Sequence, residues 1–406
     1  MHDSPASSAS SGIGFLTSTD PLNRRSWSGV HYSIFKAAER MIAPVTALGP
    51  MPMVWPMRIG DNLNRRLIKP LTGKRYHYSW SIVLAKLYAR KFARLLRKKS
   101  YSLLLAPASY TEIAYLDTQV PIVYIEDSTL HQLIDFYPGV SGLLDVSKQE
   151  LNYIEKRALT KAALVCYSSE WAARSAIEDY GADPNKVVVI PFGANYPQPP
   201  AAAEIVNKPR MGECKLFLLG GEWGRKGGAI AYDTMVALNQ LGIPTSLTVV
   251  GCEPPASESA RYQHPGFTTI PYLNMGEPSD LERLDNLFRT ADFFILPSRA
   301  ECAAIAFADA NSFGLPVITT DVGGIASFVE QNETGVMLPL SATGEDFAAV
   351  IQRLYQDPGA YQHMRTAARK RYEEVLNWDQ WARQLKHELM VRNIWPNSLS
   401  GVNSKG

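Results

Sequence analysis

The chain has 406 residues, 46% hydrophobic and 20% charged, with a net charge of +2. That length favours two cores over one, and the composition is that of an ordinary globular protein. The near-zero charge argues against nucleic acid as a partner, and no apolar run approaches the ~18 residues that a membrane-spanning helix needs.

The N-terminus, MHDSPASSASSG, has neither a basic start nor an apolar core segment, so no signal peptide is expected. Cys166, Cys214, Cys252 and Cys302 are scattered, with no C-x-x-C pair and no His at ligand spacing. A reducing, cytoplasmic setting fits this pattern better than a disulfide framework or a zinc site.

Residues 1–11 read as a disordered leader. A short strand is expected at Ile13–Leu16 and a helix from His31 to Arg40, while the Pro- and Met-rich stretch 42–75 gives no assignable pattern. Then come a helix over Ile82–Lys99, a strand at Ser102–Leu105, a short helix at Ile113–Leu116 and a strand at Pro121–Ile125. Next are a helix over Leu151–Thr160, the strand Ala163–Tyr167, and a helix over Glu170–Tyr180 capped by Ser168-Ser169 and stopped by Gly181. Val187–Ile190 is the last strand of this half. Tyr196–Ala203, with three prolines and three alanines, reads as a linker.

The second half begins with the strand Leu216–Leu219, followed by GGEWGRKGG and a helix over Ala229–Leu241. Strands at Ser246–Val250 and Thr268–Ile270, a helix over Asp280–Arg289, the strand Phe293–Leu296 and a strand from Val317 to Thr319 follow. Glu345–Val391 reads as a helical tail. Each half alternates β and α with short connections, so the expected fold is α/β, two Rossmann-like doubly wound parallel-sheet domains facing a cleft. The expected divisions are an N-terminal domain over 12–198, a linker over 199–206, a C-terminal domain over 207–375, a helix over 376–395 packing back on the first domain, and a disordered tail over 396–406.

Two places carry chemistry. Gly220–Gly228 turns out of a strand and opens a helix, and its glycines let backbone approach a ligand while Arg225 and Lys226 supply cations for phosphate. It is neither G-x-x-x-x-G-K-[ST] nor G-x-G-x-x-G, which excludes the usual P-loop and dinucleotide fingerprints; read alone, it is equally a solvated basic turn. Further on, Glu301 and Asp309 stand eight residues apart, the first on a strand-to-helix turn and the second on the helix it feeds. Open α/β sheets hold ligands at such carboxyl ends of strands. Glu301 could be a first-turn acid favoured by the helix dipole and Asp309 an exposed helix residue. The apolar neighbours Phe307, Ala308 and Ala310 oppose that for Asp309, because a buried carboxylate needs a partner, and a ribose diol would serve.

Together these features resemble the retaining glycosyltransferase family of GT-B fold called family 4, or glycosyl transferases group 1. Its E-x7-E signature is similar to Glu301–Asp309, with Asp in the second place. The resemblance implies that Glu301 meets the donor sugar's hydroxyls and Asp309 the ribose, with Arg225 and Lys226 on the diphosphate and Gly221 and Trp223 beside the donor. The family's usual Arg lies about six residues before the Lys, where this chain has Gly220. Members commonly carry Phe-Gly where this chain has Ala303-Ala304; Cys302, Ala303, Ala304 and Ile305 would still offer backbone amides to phosphate. Trp27–Val30 resembles the glycine loop after the first strand, with Gly29 at the diphosphate or acceptor. Ser168–Asn195 is similar to the domain-closing segment, and Tyr272, Leu273 and Asn274 stand where the base pocket is lined. Asp127, with His131 nearby, occupies the neighbourhood of a family histidine that has no evident match.

The implied activity is transfer of a sugar from a UDP- or GDP-linked donor to a hydroxyl of a glycan or lipid-linked acceptor, in polysaccharide or glycolipid synthesis. No cofactor is expected beyond the nucleotide sugar, and the lack of any Asp-x-Asp implies no bound metal. Alternatives are a GT-B epimerase or phosphorylase, or a non-catalytic nucleotide-sugar-binding subunit. The helix 82–99 carries seven cations and no acid. That describes either a core-packed helix with a solvated basic face or a peripheral contact with anionic lipid at the inner face of a membrane. His31, His77 and His264 read as loop or packing residues rather than ligands.

Overall fold

Two six-stranded, wholly parallel sheets organise the chain, as a computed structural model describes it over residues 12–206 and 212–395. The expected leader and tail lie outside the described residues. One compact unit comprises the chain through Tyr167, Ala173–Ile190 and the residues from Ala382; the other comprises Ser168–Ala172 and Pro191–Trp381.

In the first unit the strands are β1 (Ile13–Phe15), β2 (Val45–Ala47), β3 (Leu103–Pro107), β4 (Ile122–Glu126), β5 (Leu164–Tyr167) and β6 (Val187–Val189), in the order β2-β1-β3-β4-β5-β6. β1, β3, β4 and β5 are buried along their whole length. That is why they are short unbroken apolar runs and not alternating ones. The direction of winding reverses between β1 and β3, which leaves a crevice at their carboxyl ends.

In the second unit β7 (Cys214–Leu219), β8 (Thr245–Val250), β9 (Phe267–Ile270), β10 (Phe293–Leu296), β11 (Val317–Thr320) and β12 (Gly335–Leu338) run in the order β12-β11-β10-β7-β8-β9. This is the doubly wound order with its crevice between β7 and β10, which pair in register through Phe293 with Leu216 and Phe294 with Phe217. Below it Phe217, Phe288 and Phe313 pack ring on ring, with centroids 5.0 and 4.7 Å apart.

Several elements depart from the sequence expectations. The stretch 42–75 is not irregular: it holds β2 and a helical run from Val54 to Thr72 that passes through a π turn at Asn64–Ile68. The short helix after β3 is Tyr110–Ile113, one turn earlier than expected. The linker's end folds into the helix Ala202–Val206. The helical tail is three helices, Gly344–Gln356, Pro358–Glu374 and Trp378–Val391. The break after Gln356 is local chemistry: Pro358 sits at the first helical position, and the Asp357 carboxylate accepts from the amides of Gly359 and Ala360.

Candidate functional site

At the crevice of the second unit, the loops after β7 and β10 are tied together. The Arg299 amide donates to the Arg225 carbonyl at 2.7 Å, and Arg225 Nη1 donates to the Ala300 carbonyl at 3.1 Å. Gly227, with φ +70°, caps the helix Gly228–Gln240, and a side chain there would collide with the Pro297 carbonyl. The close approach delivers Lys226 to Glu301. The Lys226 ammonium donates to Glu301 Oε2, and both side chains are buried. Ser298 Oγ donates to the same oxygen at 3.3 Å, and Arg225 Nη1 stands 3.7 Å from it. Arg225 also pairs with Glu222.

A buried pair of this kind is costly to break: removing one partner typically loses about 3–5 kcal/mol, since the other charge is left desolvated. Glu301 thus fixes the direction of the ammonium, and Lys226 retains further protons for an incoming acceptor. The stem of Lys226 lies over Gly220, where a Cβ would stand 3.0–3.1 Å from three of its carbons. A glycine at this position leaves room for the lysine. Glu301 is also held from below, its carbonyl accepting from the Gly324 amide at 3.1 Å in the loop after β11.

The other residues expected around the donor divide. Gly221 is exposed on the same loop, and Cys302, Ala303, Ala304 and Ile305 lead from Glu301 into the helix Ile305–Ser312, whose first turn has no side-chain cap. Tyr272 is exposed after β9, Leu273 is buried, and the Asn274 amide donates to Asp280 at 2.9 Å. Trp223, which the resemblance set beside the donor, lies in the same loop as Gly221. Its ring is buried against Tyr262 and Phe267, with centroids 5.1 and 6.0 Å away, and it lies directly on Gly228. It anchors the loop to the core.

Asp309 is buried, as its apolar neighbours suggested. One of its oxygens, Oδ1, accepts from the amides of Asn195 and Tyr196, both at 2.7 Å. Main-chain amides therefore satisfy one of its two carboxylate oxygens. Burial raises its carboxyl and the two amides offset part of that rise, leaving it at about 7.

The first unit contributes Gly29 and Asp127, both at its own crevice. Trp27, Ser28 and Gly29 are three consecutive residues in left-handed conformation (φ 47°, 53° and 88°), and Gly29 caps the helix Val30–Met41. Positive φ at Trp and Ser is costly and concentrates where geometry serves a ligand. Beside this turn is a cavity of about 520 Å³, lined among others by Trp27, His31, Trp80, Glu112, Glu126 and Asp127. His31 is buried in the wall of this cavity. Its Nε2–H donates to the Pro107 carbonyl at 3.2 Å, which leaves Nδ1 to accept from Ser26 Oγ at 2.7 Å. Burial lowers its pKa to about 4, so the ring is neutral at pH 7. Burial, followed by the charge of Asp127, holds Glu126 well above the usual carboxylate range, and burial raises Glu112. A cavity lined by a neutral imidazole, carboxyl groups and indole rings offers sugar hydroxyls both hydrogen-bond partners and apolar faces. The Thr111 hydroxyl, also lining it, is buried without a partner among the described residues.

His31, Glu112 and Glu126 lie far apart in the sequence, and only the order of strands brings them together; a carboxylate closing an apolar strand, as Glu126 does, was the one available signal. Among the described residues no group of three or more His, Cys, Asp or Glu is placed to hold a metal ion.

Two doubly wound sheets in these strand orders are the GT-B glycosyltransferase fold. Sucrose-phosphate synthase of Thermosynechococcus elongatus matches over 95% of this chain and 99% of its own, with a TM-score of 0.65 at 16% identity. Alr3699/HepE of Anabaena, solved in complex with UDP, matches over 94% and 100% with a TM-score of 0.61 at 15% identity. Residues 226–371 match the family model described as Glycosyl transferases group 1, a span that opens on Lys226 and takes in Glu301 and Asp309. The similarity to glycosyl transferases group 1 thus lies in the second unit, and the likeness to the solved structures is one of GT-B fold. Among curated relatives, D-inositol 3-phosphate glycosyltransferase of Rhodococcus erythropolis is 26% identical over 215 residues, covering 51% of this chain and 42% of the relative. Glycogen synthase of Mycobacterium tuberculosis is 27% identical over 202 residues, covering 50% and 47%. The chain spans less than half the length of both.

Proposed function

We propose that this chain is a retaining glycosyltransferase moving a sugar from a nucleoside-diphosphate sugar to a hydroxyl of a glycan or lipid-linked acceptor. The carrying observation is the Arg225–Lys226–Glu301 constellation at the crevice between β7 and β10. Two cations, one of them held in direction by a buried carboxylate, form a preorganised counter-charge for a diphosphate leaving group. The Glu301 carboxylate, beside them, accepts from the donor sugar's hydroxyls. The C1–O bond to phosphate breaks with its electron pair passing to the phosphate oxygen, and the sugar passes through an oxocarbenium-like state. The acceptor oxygen bonds C1 on the same face, and its proton goes to the leaving phosphate.

The acceptor's hydroxyls are matched by the first unit's cavity, where Asp127 and Glu126 present carboxyl groups and Trp27 and Trp80 apolar faces. Asp309 is here a positioning residue that pins Asn195 and Tyr196 to the donor domain. The exposed cations of the helix Ile82–Leu96 support contact with anionic lipid. Four buried, unbridged cysteines support a reducing, cytoplasmic setting.

The test is release of nucleotide from a panel of UDP- and GDP-sugars, with the anomeric configuration of the product read by NMR. Slow UDP or GDP release and a retained anomer are expected. Binding without turnover of any donor would make the chain a nucleotide-sugar-binding subunit, and an inverted anomer would refute the retaining mechanism.

A further inference from the structure

The run Val54–Thr72 is helical throughout and exposes apolar residues at every fourth position. Trp55 is 75% exposed, Ile59 49%, Leu63 39%, Leu67 52% and Leu71 80%. Single exposed apolar residues are ordinary, but five in register form a patch. Spacing of four drifts around a regular α-helix of 3.6 residues per turn, and the wider π turn at Asn64–Ile68 offsets part of that drift. The stripe from Trp55 to Leu71 therefore stays on one side over about 24 Å, at 1.5 Å per residue. Val83, on the helix Ile82–Leu96, is also exposed. Between these helices lies an apolar hollow of about 450 Å³, whose lining includes Trp55, Met57, Ile59, Ile68, Tyr78 and Leu87.

Charge says what covers this patch. From Val54 to Lys99 there are thirteen Lys and Arg and one acid, Asp61, in a chain whose net charge is +2. Arg58, Arg65, Arg66 and Lys69 are exposed on the same run as the stripe, and Lys86, Arg90, Lys91 and Arg94 on the neighbouring helix. A second copy of this surface would bring like charge against like. Nucleic acid would leave the apolar stripe in water. Anionic headgroups lying over hydrocarbon match both parts at once.

We propose that Val54–Thr72 lies in the headgroup plane of an anionic bilayer, with Trp55, Ile59, Leu63, Leu67 and Leu71 inserted and the hollow receiving hydrocarbon. This deepens the lipid contact proposed above for the helix Ile82–Leu96, making that helix the electrostatic flank and the stripe the anchor. Met57 and Leu84 wall both the hollow and the polar cavity of the first unit. A lipid-linked acceptor would there have its chain beside its sugar, a corollary that rests on the proposed acceptor reading; the docking does not depend on it.

The experiment is co-sedimentation of the full chain with phosphatidylcholine vesicles, with and without phosphatidylglycerol. The parent is compared with Leu67→Glu/Leu71→Glu and with Arg90→Glu/Arg94→Glu, alongside light scattering, Tm and UDP calorimetry. The parent should bind the anionic vesicles selectively. The leucine pair should weaken partition by about tenfold or more, with Tm and UDP affinity unchanged, because both residues are exposed and far in sequence from the donor loops. The arginine pair should bind weakly even at low salt. Parent-like binding by the leucine pair would overturn the anchor while leaving the basic-helix contact standing. No binding by the parent would overturn both. A leucine pair that only converts a dimer to a monomer would assign the stripe to self-association and refute the lipid reading. UDP binding lost by the parent itself would count against the transferase reading alone.

Discussion

In the second unit the loops after β7 and β10 close on each other through charge, with Lys226 and Glu301 buried in direct contact. In the first, the loops after β1, β3 and β4 surround a cavity whose carboxyl groups Glu112 and Glu126 are pushed toward their protonated forms. The same kind of topological crevice thus carries opposite chemistry. One presents fixed positive charge with little give, which suits a diphosphate and its developing charge. The other presents carboxyl, imidazole and hydroxyl hydrogen-bonding groups beside indole faces, which suit a polyol. Two substrates of different character can be sorted in this way without any difference in sheet architecture.

The sharpest way to break this contrast is at Lys226. Lys226→Met should lower donor turnover by roughly 10²–10³ and destabilise the protein, because Glu301 is left buried and unpaired. The double variant Lys226→Met/Glu301→Gln should recover Tm without recovering turnover. Recovery of both would make the pair purely structural. Next in size, Asp127→Asn should reduce transfer to acceptor by roughly 10² while calorimetry shows unchanged nucleotide affinity. A parallel loss of nucleotide binding would remove the division of labour between the two crevices.

The smallest expected effect is a pH dependence at Asp309. Its carboxyl is raised to about 7 from 3.8, so between those values the native state keeps a proton that the unfolded chain has lost. The stability this provides is full below pH 4 and is lost as pH rises through 7. Asn at this position accepts the same two amide bonds without the charge. The Tm advantage of Asp309→Asn over the parent should therefore grow from pH 5 to pH 8, with UDP affinity little changed. A flat difference in Tm, or a large loss of UDP affinity, would return Asp309 to the ribose.

How much of this was legible in the sequence follows from where each partner lies. The central strands were legible because burial on both faces makes them short apolar runs, whereas β2 and β12 went unassigned; Arg225, Lys226 and Glu301 stood out because each lies in the loop that follows such a run. Asp309 was recognisable as a carboxylate in need of a partner, but the amides that satisfy it are more than a hundred residues away. The helical run Val54–Thr72 escaped because its apolar residues face outward and Pro56, Gly60 and Pro70 interrupt the pattern. Gly60 is there for packing, since any side chain would strike the Tyr78 ring. The packing of Trp223 on Tyr262 and Phe267 was not legible, because those rings lie about forty residues further along the chain.

The central claim is that the cations at the β7–β10 crevice hold a nucleoside diphosphate, and calorimetric titration of UDP and GDP into the parent and into Lys226→Met/Glu301→Gln tests it most directly. The account predicts saturable binding of at least one nucleotide by the parent, weakened tenfold or more in the folded double variant. Equal affinity in the two proteins, or no binding of either nucleotide by the parent, would contradict it.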